Sequence, residues 1–371
     1  MISIIVETGT INIEGGTIIS NNATGVYNYS TGTIKITGGT VTSGTSSGIY
    51  NSSTGTIELG EKITEEGLAN GEVPNITSPK ITGATYGIKN YDGKFNFYDG
   101  SITGKISQSI DKYITDMEYG YNIIKTANVA EDGTETATLN KINIMEIEGK
   151  KTYTTIESLQ NDINNLEEDC TINAIADFYM GRNDKIVVPE NKNITINLNG
   201  HTITATSDNA ITNNGNLKIV DTSESQTGNI RHRNLGTSNV YKNLIFNDTN
   251  GKFELESGTI SVNSEYENII FNLGSLVING GIINLKEANN YSYENAIYNN
   301  GTGKIIINGG TINVNGYYGY GVYNNSTEKV EINNGTVNLT KYNQYGVYNR
   351  ITGEINLNGG KINAYRRSWS I

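Results

Sequence analysis

The stretch Gly321-Val322-Tyr323-Asn324 decides the fold, because it returns 25 residues later as Gly346-Val347-Tyr348-Asn349. Internal repeats of this length are typical of stacked, elongated architectures. The steps between the closing asparagines are 23 and 39 residues in the first part of the chain and 34, 25, 27, 25 and 25 in the second. The asparagines that close the successive copies are Asn28, Asn51, Asn90, Asn213, Asn247, Asn272, Asn299, Asn324 and Asn349.

A second phrase follows most copies, for example Lys304-Ile305-Ile306-Ile307-Asn308-Gly309-Gly310-Thr311-Ile312. In the early copy at 33–41, Ile34 and Ile36 alternate with Lys35, which is the period of a half-buried strand. The Gly-Gly pair predicts a bend, because glycine reaches backbone angles that other residues avoid. A third short strand then follows the bend.

These phrases predict an all-β chain, a right-handed parallel β-helix (β-solenoid) with about three strands in each coil of about 25 residues. Each phrase would lie on its earlier copy at about 4.8 Å per coil. Two inward columns are expected, one with Val26, Ile49, Val322 and Val347 and the other with Ile13, Ile36, Ile307, Ile332 and Leu357.

The asparagines that close the copies should form a column with a structural role. Asparagine tolerates the left-handed conformation at a corner. Stacked carboxamides can also bond from coil to coil. The tyrosines one position earlier should face outward by alternation; they are Tyr27, Tyr50, Tyr298, Tyr323 and Tyr348.

The repeat divides the chain into three segments. Residues 1–110 read as the C-terminal part of a first solenoid, 111–150 as a connector with short strands, and 151–371 as a second solenoid. The second solenoid opens with a capping helix at about 154–167, where Thr154 to Glu157 fits a capping box. Neither end of the chain carries a clear cap, so we expect a fragment of a longer tandem array.

The start of the second solenoid resembles bacterial right-handed parallel β-helix surface and adhesin-like proteins, which have the pectin-lyase-like fold. The resemblance rests on Ser158-Leu159-Gln160, then Val188-Pro189, then the strand from Ile194 to Gly200 with His201-Thr202-Ile203 after it. It covers nearly all of 151–371 and, through the coils, most of 1–110, and it implies a β-helix there. It leaves function open, because this fold carries lyases, hydrolases, adhesins and phage tailspikes.

The amino-acid composition argues against some classes of binding partner. The net charge of −11 argues against nucleic acid and against anionic membrane surfaces. No transmembrane run and no signal peptide occur in the chain. By analogy with the resembling proteins, we expect an extracellular or cell-surface location, with glycans or host surface proteins as partners; the oligomeric state stays open.

No catalytic or metal site is expected, and no cofactor. The outward position of the second strand carries Glu58, Glu254 and Glu331, which do not fall in neighbouring coils, whereas glycoside hydrolysis needs two carboxylates at a set separation. The two histidines and the single cysteine, Cys170, lie far apart in sequence. His201 reads as structural, and His232, between two arginines, as part of a solvated loop.

Tyrosines before three successive copies form a candidate binding patch. Counted back from each copy, Tyr293 aligns with Tyr318, and Tyr320 aligns with Tyr345. Exposed aromatic rings can stack on sugars or anchor a protein, although they can equally shield the corners of the core. The patch comprises Tyr291, Tyr293, Tyr317, Tyr318, Tyr320, Tyr342 and Tyr345.

Three functions remain open from the sequence. The first is a non-enzymatic surface or secreted structural and adhesive module that binds glycans. The second is a polysaccharide lyase or glycoside hydrolase of the pectin-lyase-like fold. The third is a segment of a phage tail fibre or tailspike. The uniform repeat, with no acid cluster, favours the first.

Overall fold

The computed structural model describes residues 4–62, 75–106, 121–125, 136–181, 184–205, 207–232, 242–262, 267–285, 293–315, 318–341 and 344–364. Two compact units are present: unit 1, residues 1–142, and unit 2, residues 143–371. The all-β fold, the parallel sheets, the coils of about 25 residues and the one short helix of the described residues confirm the predicted solenoid. Parallel pairing follows from the repeat, because each phrase bonds to its own copy in the next coil.

Unit 1 is built on two sheets. The larger sheet joins the strands of the Gly-Val-Tyr-Asn phrase with the strands after the Gly-Gly bend. They are β1 (Ile4–Val6), β3 (Thr17–Ser20), β4 (Val26–Asn28), β6 (Thr40–Ser43), β7 (Ile49–Asn51), β9 (Lys80–Asn90) and β11 (Ser101–Ile106). Two further strands, β12 (Tyr121–Lys125) and β13 (Thr136–Lys141), pair antiparallel, and β13 also bonds to β11. The smaller sheet holds β2 (Thr10–Ile13), β5 (Thr33–Ile36), β8 (Thr56–Leu59) and β10 (Lys94–Phe97).

Unit 2 is built on three sheets, which supply the three strands of each coil. The first sheet comprises β14 (Met145–Ile147), β15 (Thr152–Tyr153), β16 (Cys170–Ala174), β19 (Asn193–Asn197), β22 (Asn216–Val220), β25 (Lys252–Leu255), β28 (Ser275–Ile278), β31 (Lys304–Ile307), β34 (Val330–Ile332) and β37 (Ile355–Leu357). The second comprises β17 (Phe178–Met180), β20 (Thr202–Ala205), β23 (Asn229–His232), β26 (Thr259–Val262), β29 (Ile282–Leu285), β32 (Thr311–Val314), β35 (Thr336–Leu339) and β38 (Lys361–Asn363). The third comprises β18 (Ile186–Val188), β21 (Ile211–Asn213), β24 (Lys242–Asn247), β27 (Glu267–Asn272), β30 (Tyr293–Gly301), β33 (Tyr318–Ser326) and β36 (Tyr345–Asn349).

The inward columns lie where the alternation predicts them. Val26 pairs with Ile49, and Val322 with Val347, in parallel register. In the other column Ile307, Ile332 and Leu357 are in register, and the first two are buried. Leu357, in the last described coil, is 59% exposed. The core is therefore a thin stack of aliphatic layers, which explains how a chain with few apolar residues can still form a buried core.

Two kinds of glycine shape each coil. Gly310 has φ 80°, a left-handed angle that suits the Gly-Gly bend. Gly321 opens the repeated phrase, where an added Cβ would lie 2.5 Å from the carbonyl oxygen of Gly346 in the next coil. The bend thus needs backbone freedom, whereas the opening of the phrase needs close approach between coils.

The asparagines that close the copies form two buried ladders of hydrogen bonds. In unit 1 the Nδ2 of Asn28 donates to Asn51, and Asn51 donates to Asn90, at 2.9 and 2.7 Å. In unit 2 each Nδ2 donates to the Oδ1 in the next coil at 2.7–2.8 Å, through Asn213, Asn247, Asn272, Asn299, Asn324 and Asn349. None of these nine has a positive φ, so amide bonding, and not left-handed backbone, accounts for the column.

The helix α1 (Ile156–Asn164) lies at the first coil of unit 2 and buries Ile156, Leu159 and Ile163. The predicted capping box was displaced by one residue: Thr155 is the N-cap, and its Oγ1 accepts from the N–H of Ser158. The reason is that Ser158, and not Glu157, stands three residues after the cap and returns a bond to the carbonyl of Thr155.

The predicted solvated position of His232 was wrong. His232 ends β23, pairs with Val262 of the next coil, and is 1% exposed. Within Asn229–His232 the second and fourth residues are buried, as they are in the neighbouring strands β20 and β26. The flanking arginines hid this alternation in the sequence.

Candidate functional site

The outward face of the third sheet of unit 2 carries the largest group of aromatic side chains that the structure describes there. In β33 the buried positions are Gly319, Gly321, Val322, Asn324 and Ser326. Tyr318, Tyr320 and Tyr323 point the other way and are partly exposed. The two consecutive inward residues, Gly321 and Val322, keep Tyr320 and Tyr323 on the same outer surface although they are three residues apart.

One column of this face is a continuous stack of rings. Its centroid distances are 5.5, 5.2, 5.1 and 5.2 Å, through Phe246, Phe271, Tyr298, Tyr323 and Tyr348. The spacing follows from the step between parallel strands, because identical positions lie one coil apart. The last three members carry hydroxyl groups, so the stack becomes more polar toward the later coils.

A second column runs beside the first. It begins with carboxamides, since Asn243, Asn268 and Asn295 bond in succession at 2.7 Å. The register then places Tyr320 beside Asn295 and Tyr345 beside Tyr320. In the last two coils of the column, tyrosine therefore replaces asparagine.

The two columns meet in a cluster of four rings. Tyr320 stacks on Tyr345 with centroids 5.1 Å apart and meets Tyr323 edge-on at 5.0 Å. Tyr348 lies 5.5 Å from Tyr320 and 5.6 Å from Tyr345. Tyr345 is 47% and Tyr348 37% exposed, so the cluster packs against itself and still presents ring surface to solvent. We call Tyr298, Tyr318, Tyr320, Tyr323, Tyr345 and Tyr348 the tyrosine face.

The structure brings three of the predicted patch residues to this face, namely Tyr318, Tyr320 and Tyr345. Tyr293 is described only in its backbone, which pairs with Tyr318. Tyr291, Tyr317 and Tyr342 lie outside the described residues.

The sequence reasoning missed that the outward column joins the patch. Tyr323 and Tyr348 were predicted only to face outward, yet they contact Tyr320 and Tyr345. The constant spacing of three residues between Tyr320 and Tyr323, and between Tyr345 and Tyr348, is the signal that could have joined them.

Polar groups border the tyrosine face. Asn325 follows Tyr323 by two residues on the outer side of β33, and its Nδ2 donates to Asn300 of the previous coil at 2.8 Å. Arg350, exposed, comes directly after β36. Rings flanked by amides and a guanidinium can stack on a sugar and bond to its hydroxyl groups.

The candidate acids of the first sheet do not form a hydrolase pair. The register runs from Glu254 through Val277 and Ile306 to Glu331, which separates the two acids by three coils, or about 14 Å at the ordinary strand spacing. Glycosidase carboxylates lie about 5–9.5 Å apart. Glu254 instead pairs with Lys218 at 3.1 Å.

His201 lies 3.4 Å from the carboxylate of Asp177 on the surface. The described residues contain no group of three or more His, Cys, Asp or Glu side chains placed to hold a metal ion. None of their helices has both the length and the apolar character needed to cross a membrane.

Comparison with known proteins assigns the second unit. No curated protein and no solved structure gives a significant match. The family described as carbohydrate-binding domain-containing protein matches residues 167–370, more than half of the chain, and this region contains the whole tyrosine face. The chain therefore belongs to the family of carbohydrate-binding domain-containing proteins.

Proposed function

We propose that this protein is a non-enzymatic, glycan-binding structural module that acts at the cell surface or outside the cell, and that it holds its ligand on the tyrosine face. The observation that carries the proposal is the four-ring cluster of Tyr320, Tyr323, Tyr345 and Tyr348 within the family-matched region. An adhesive role fits a solenoid unit, because stacked coils present a continuous outer surface to a partner.

The arrangement suits a sugar chain better than a small buried ligand. The rings form a broad outer surface and not a closed pocket. Successive rings repeat at about 5 Å along the coils, so several sugar rings of one chain can lie on the face together. Asn300 and Asn325 supply the directional hydrogen bonds that a stacked sugar also needs.

The test is the double variant Tyr345→Ser with Tyr348→Ser. Aromatic contacts contribute about 0.5–1.5 kcal/mol each, so losing two should weaken glycan binding roughly tenfold or more. The measurement is binding of the full chain to an array of immobilised neutral oligosaccharides, followed by titration of those that bind. Tyr179→Ser, an outward tyrosine of the second sheet, is the matched control and should bind as the parent does.

Circular dichroism of each variant separates binding from folding. The double variant should keep its spectrum and lose less than about 2 kcal/mol of stability, because both rings are partly exposed. Undiminished binding by the double variant would overturn the tyrosine face as the binding site. Absence of binding by the parent chain to every oligosaccharide would overturn the function itself.

A further inference from the structure

Unit 1 carries an aromatic face of its own, outside the region that the family matches. The outward positions of β4, β7 and β9 are in register through Tyr27, Tyr50 and Lys89. Tyr27 and Tyr50 have centroids 5.0 Å apart, and Tyr91 lies 6.0 Å from Tyr50. Tyr91 is 54% exposed, so this face also presents ring surface to solvent.

The face holds a lysine where the later coils of unit 2 have a tyrosine. Lys89 belongs to the same phrase position as Tyr323 and Tyr348. Its Nζ lies 4.8 Å from the ring centre of Tyr50 and 5.5 Å from those of Tyr86 and Tyr91. In unit 2 the cation beside the rings, Arg350, comes after the column and not within it.

The ammonium group of Lys89 contacts three aromatic rings, those of Tyr50, Tyr86 and Tyr91. It forms no ion pair with any carboxylate among the described residues of the chain. A cation over an aromatic ring keeps its full charge and loses part of its conformational freedom. Less conformational entropy is then lost when it binds an anion. Burial raises the pKa of Tyr50 although Lys89 acts to lower it, so the phenol stays neutral and can donate a hydrogen bond.

We propose that Tyr27, Tyr50, Tyr91 and Lys89 form a second glycan-binding face, and that Lys89 makes it selective for glycans that carry carboxylate groups. The rings would stack on the sugars while the ammonium bonds to the anionic substituent. A charge-assisted hydrogen bond is about twice as strong as a neutral one, so it can decide between charged and neutral chains. The ligand class rests on the proposed function, but the face, the unit and the selecting residue are different.

The experiment compares carboxymethyl-dextran with dextran, which share one backbone, against the full chain. The parent should bind carboxymethyl-dextran more tightly. Lys89→Gln removes the charge and keeps the length, and should weaken that binding about tenfold without changing the weak binding of dextran. Lys89→Arg keeps the charge and should retain binding within about threefold.

The matched control is Lys94→Gln, an exposed lysine on the other sheet of unit 1, which should change binding less than about twofold. Tyr345→Ser with Tyr348→Ser should leave carboxymethyl-dextran binding in place, because it alters unit 2 alone. Equal binding by Lys89→Gln and the parent, or no preference of the parent for the charged polymer, would overturn the second face. Either result leaves the neutral-glycan test of the tyrosine face unaffected, so the two proposals fail separately.

Discussion

At the scale of the residue, the buried amide of Asn299 joins three coils of unit 2. Its Nδ2 donates to Asn324 at 2.7 Å and to the carbonyl of Gly303 at 2.8 Å, and its Oδ1 accepts from Asn272 at 2.7 Å. Buried polar groups that lose a partner cost about 1–3 kcal/mol each. The ladder is therefore a polar network whose value depends on every member being present.

We expect Asn299→Ala to lower the free energy of unfolding by about 3 kcal/mol, because a buried donor and a buried carbonyl lose their partners. Asn308→Ala is the control, since Asn308 bonds to Asn279 at 2.9 Å in an exposed ladder where water can replace it. It should cost less than about 0.5 kcal/mol. Denaturant unfolding followed by circular dichroism measures both. An equal loss of stability in both variants would show that burial of the amide does not determine its contribution to stability.

A second residue-scale device is Asp221, which is 3% exposed after β22. Its carboxylate accepts the backbone N–H groups of Gly228, Gly200 and Ser223 at 2.6, 2.8 and 3.1 Å. Burial acts to raise the pKa of Asp221, but the bonds from Ser223, Gly228 and Gly200 outweigh it and leave the pKa below its usual value. In its charged form, the carboxylate of Asp221 therefore holds this turn in place.

The sign of the pH dependence follows from that depressed pKa. The stabilisation is complete above the unfolded pKa of about 3.9 and is lost as the pH falls through the lower folded value. Asp221→Asn should lower stability at pH 7 by about 2 kcal/mol, because an N–H would face the N–H of Gly228. It should also flatten the loss of stability on acidification. Asp169→Asn, an exposed acid, should do neither, and unfolding curves from pH 7 to about 2 decide between them.

At the scale of the element, α1 closes an open sheet edge. Gln160 donates to the carbonyl of Val187 at 2.9 Å and accepts from its N–H at 2.8 Å, so one carboxamide occupies both backbone groups of this central residue of β18. β18 is the first strand of the third sheet, and an unpaired strand edge invites pairing with another chain. The helix therefore protects the solenoid as well as covering its core.

We predict that Gln160→Ala lowers stability by about 1–2 kcal/mol and increases self-association, because it frees the edge of β18. Asn161→Ala, next to it on the exposed side of α1, should change stability by less than about 0.5 kcal/mol. Light scattering on concentrated samples gives the self-association. Similar behaviour of both variants would assign the protection to the apolar residues of α1 alone.

At the scale of the whole molecule, the repeat made the fold predictable and the site only partly so. The period and the alternation of Ile34, Lys35 and Ile36 determine coil length, strand direction and the inward columns, because parallel stacking leaves few alternatives. The capping residue Thr155 was missed by one position, since Thr154 with Glu157 fits the capping-box pattern and Thr155 with Ser158 does not. His232 was misplaced because its charged neighbours outweighed its position in the strand.

The tyrosine face was harder to predict because it depends on contacts between columns. Alternation places Tyr323 outside and counting places Tyr320 beside Tyr345. Neither reveals that the two consecutive inward residues, Gly321 and Val322, bring both columns together. A repeat treats each coil as identical, so this pair was read as part of the phrase and not as a link between two columns. Lys89, a departure from the repeated tyrosine, was for the same reason counted as a copy and not as a difference.

The buried ladder has a polarity. Each Nδ2 points to the following coil, and its direction is set by a backbone carbonyl, as with Asn299 and Gly303 or Asn51 and Gly55. The outer ladder from Asn333 to Asn308 to Asn279 points the opposite way. A coil added in the reverse direction would place the amide hydrogens of two asparagines against each other inside the solenoid. The direction of the amide hydrogen bonds therefore favours the addition of coils that run the same way.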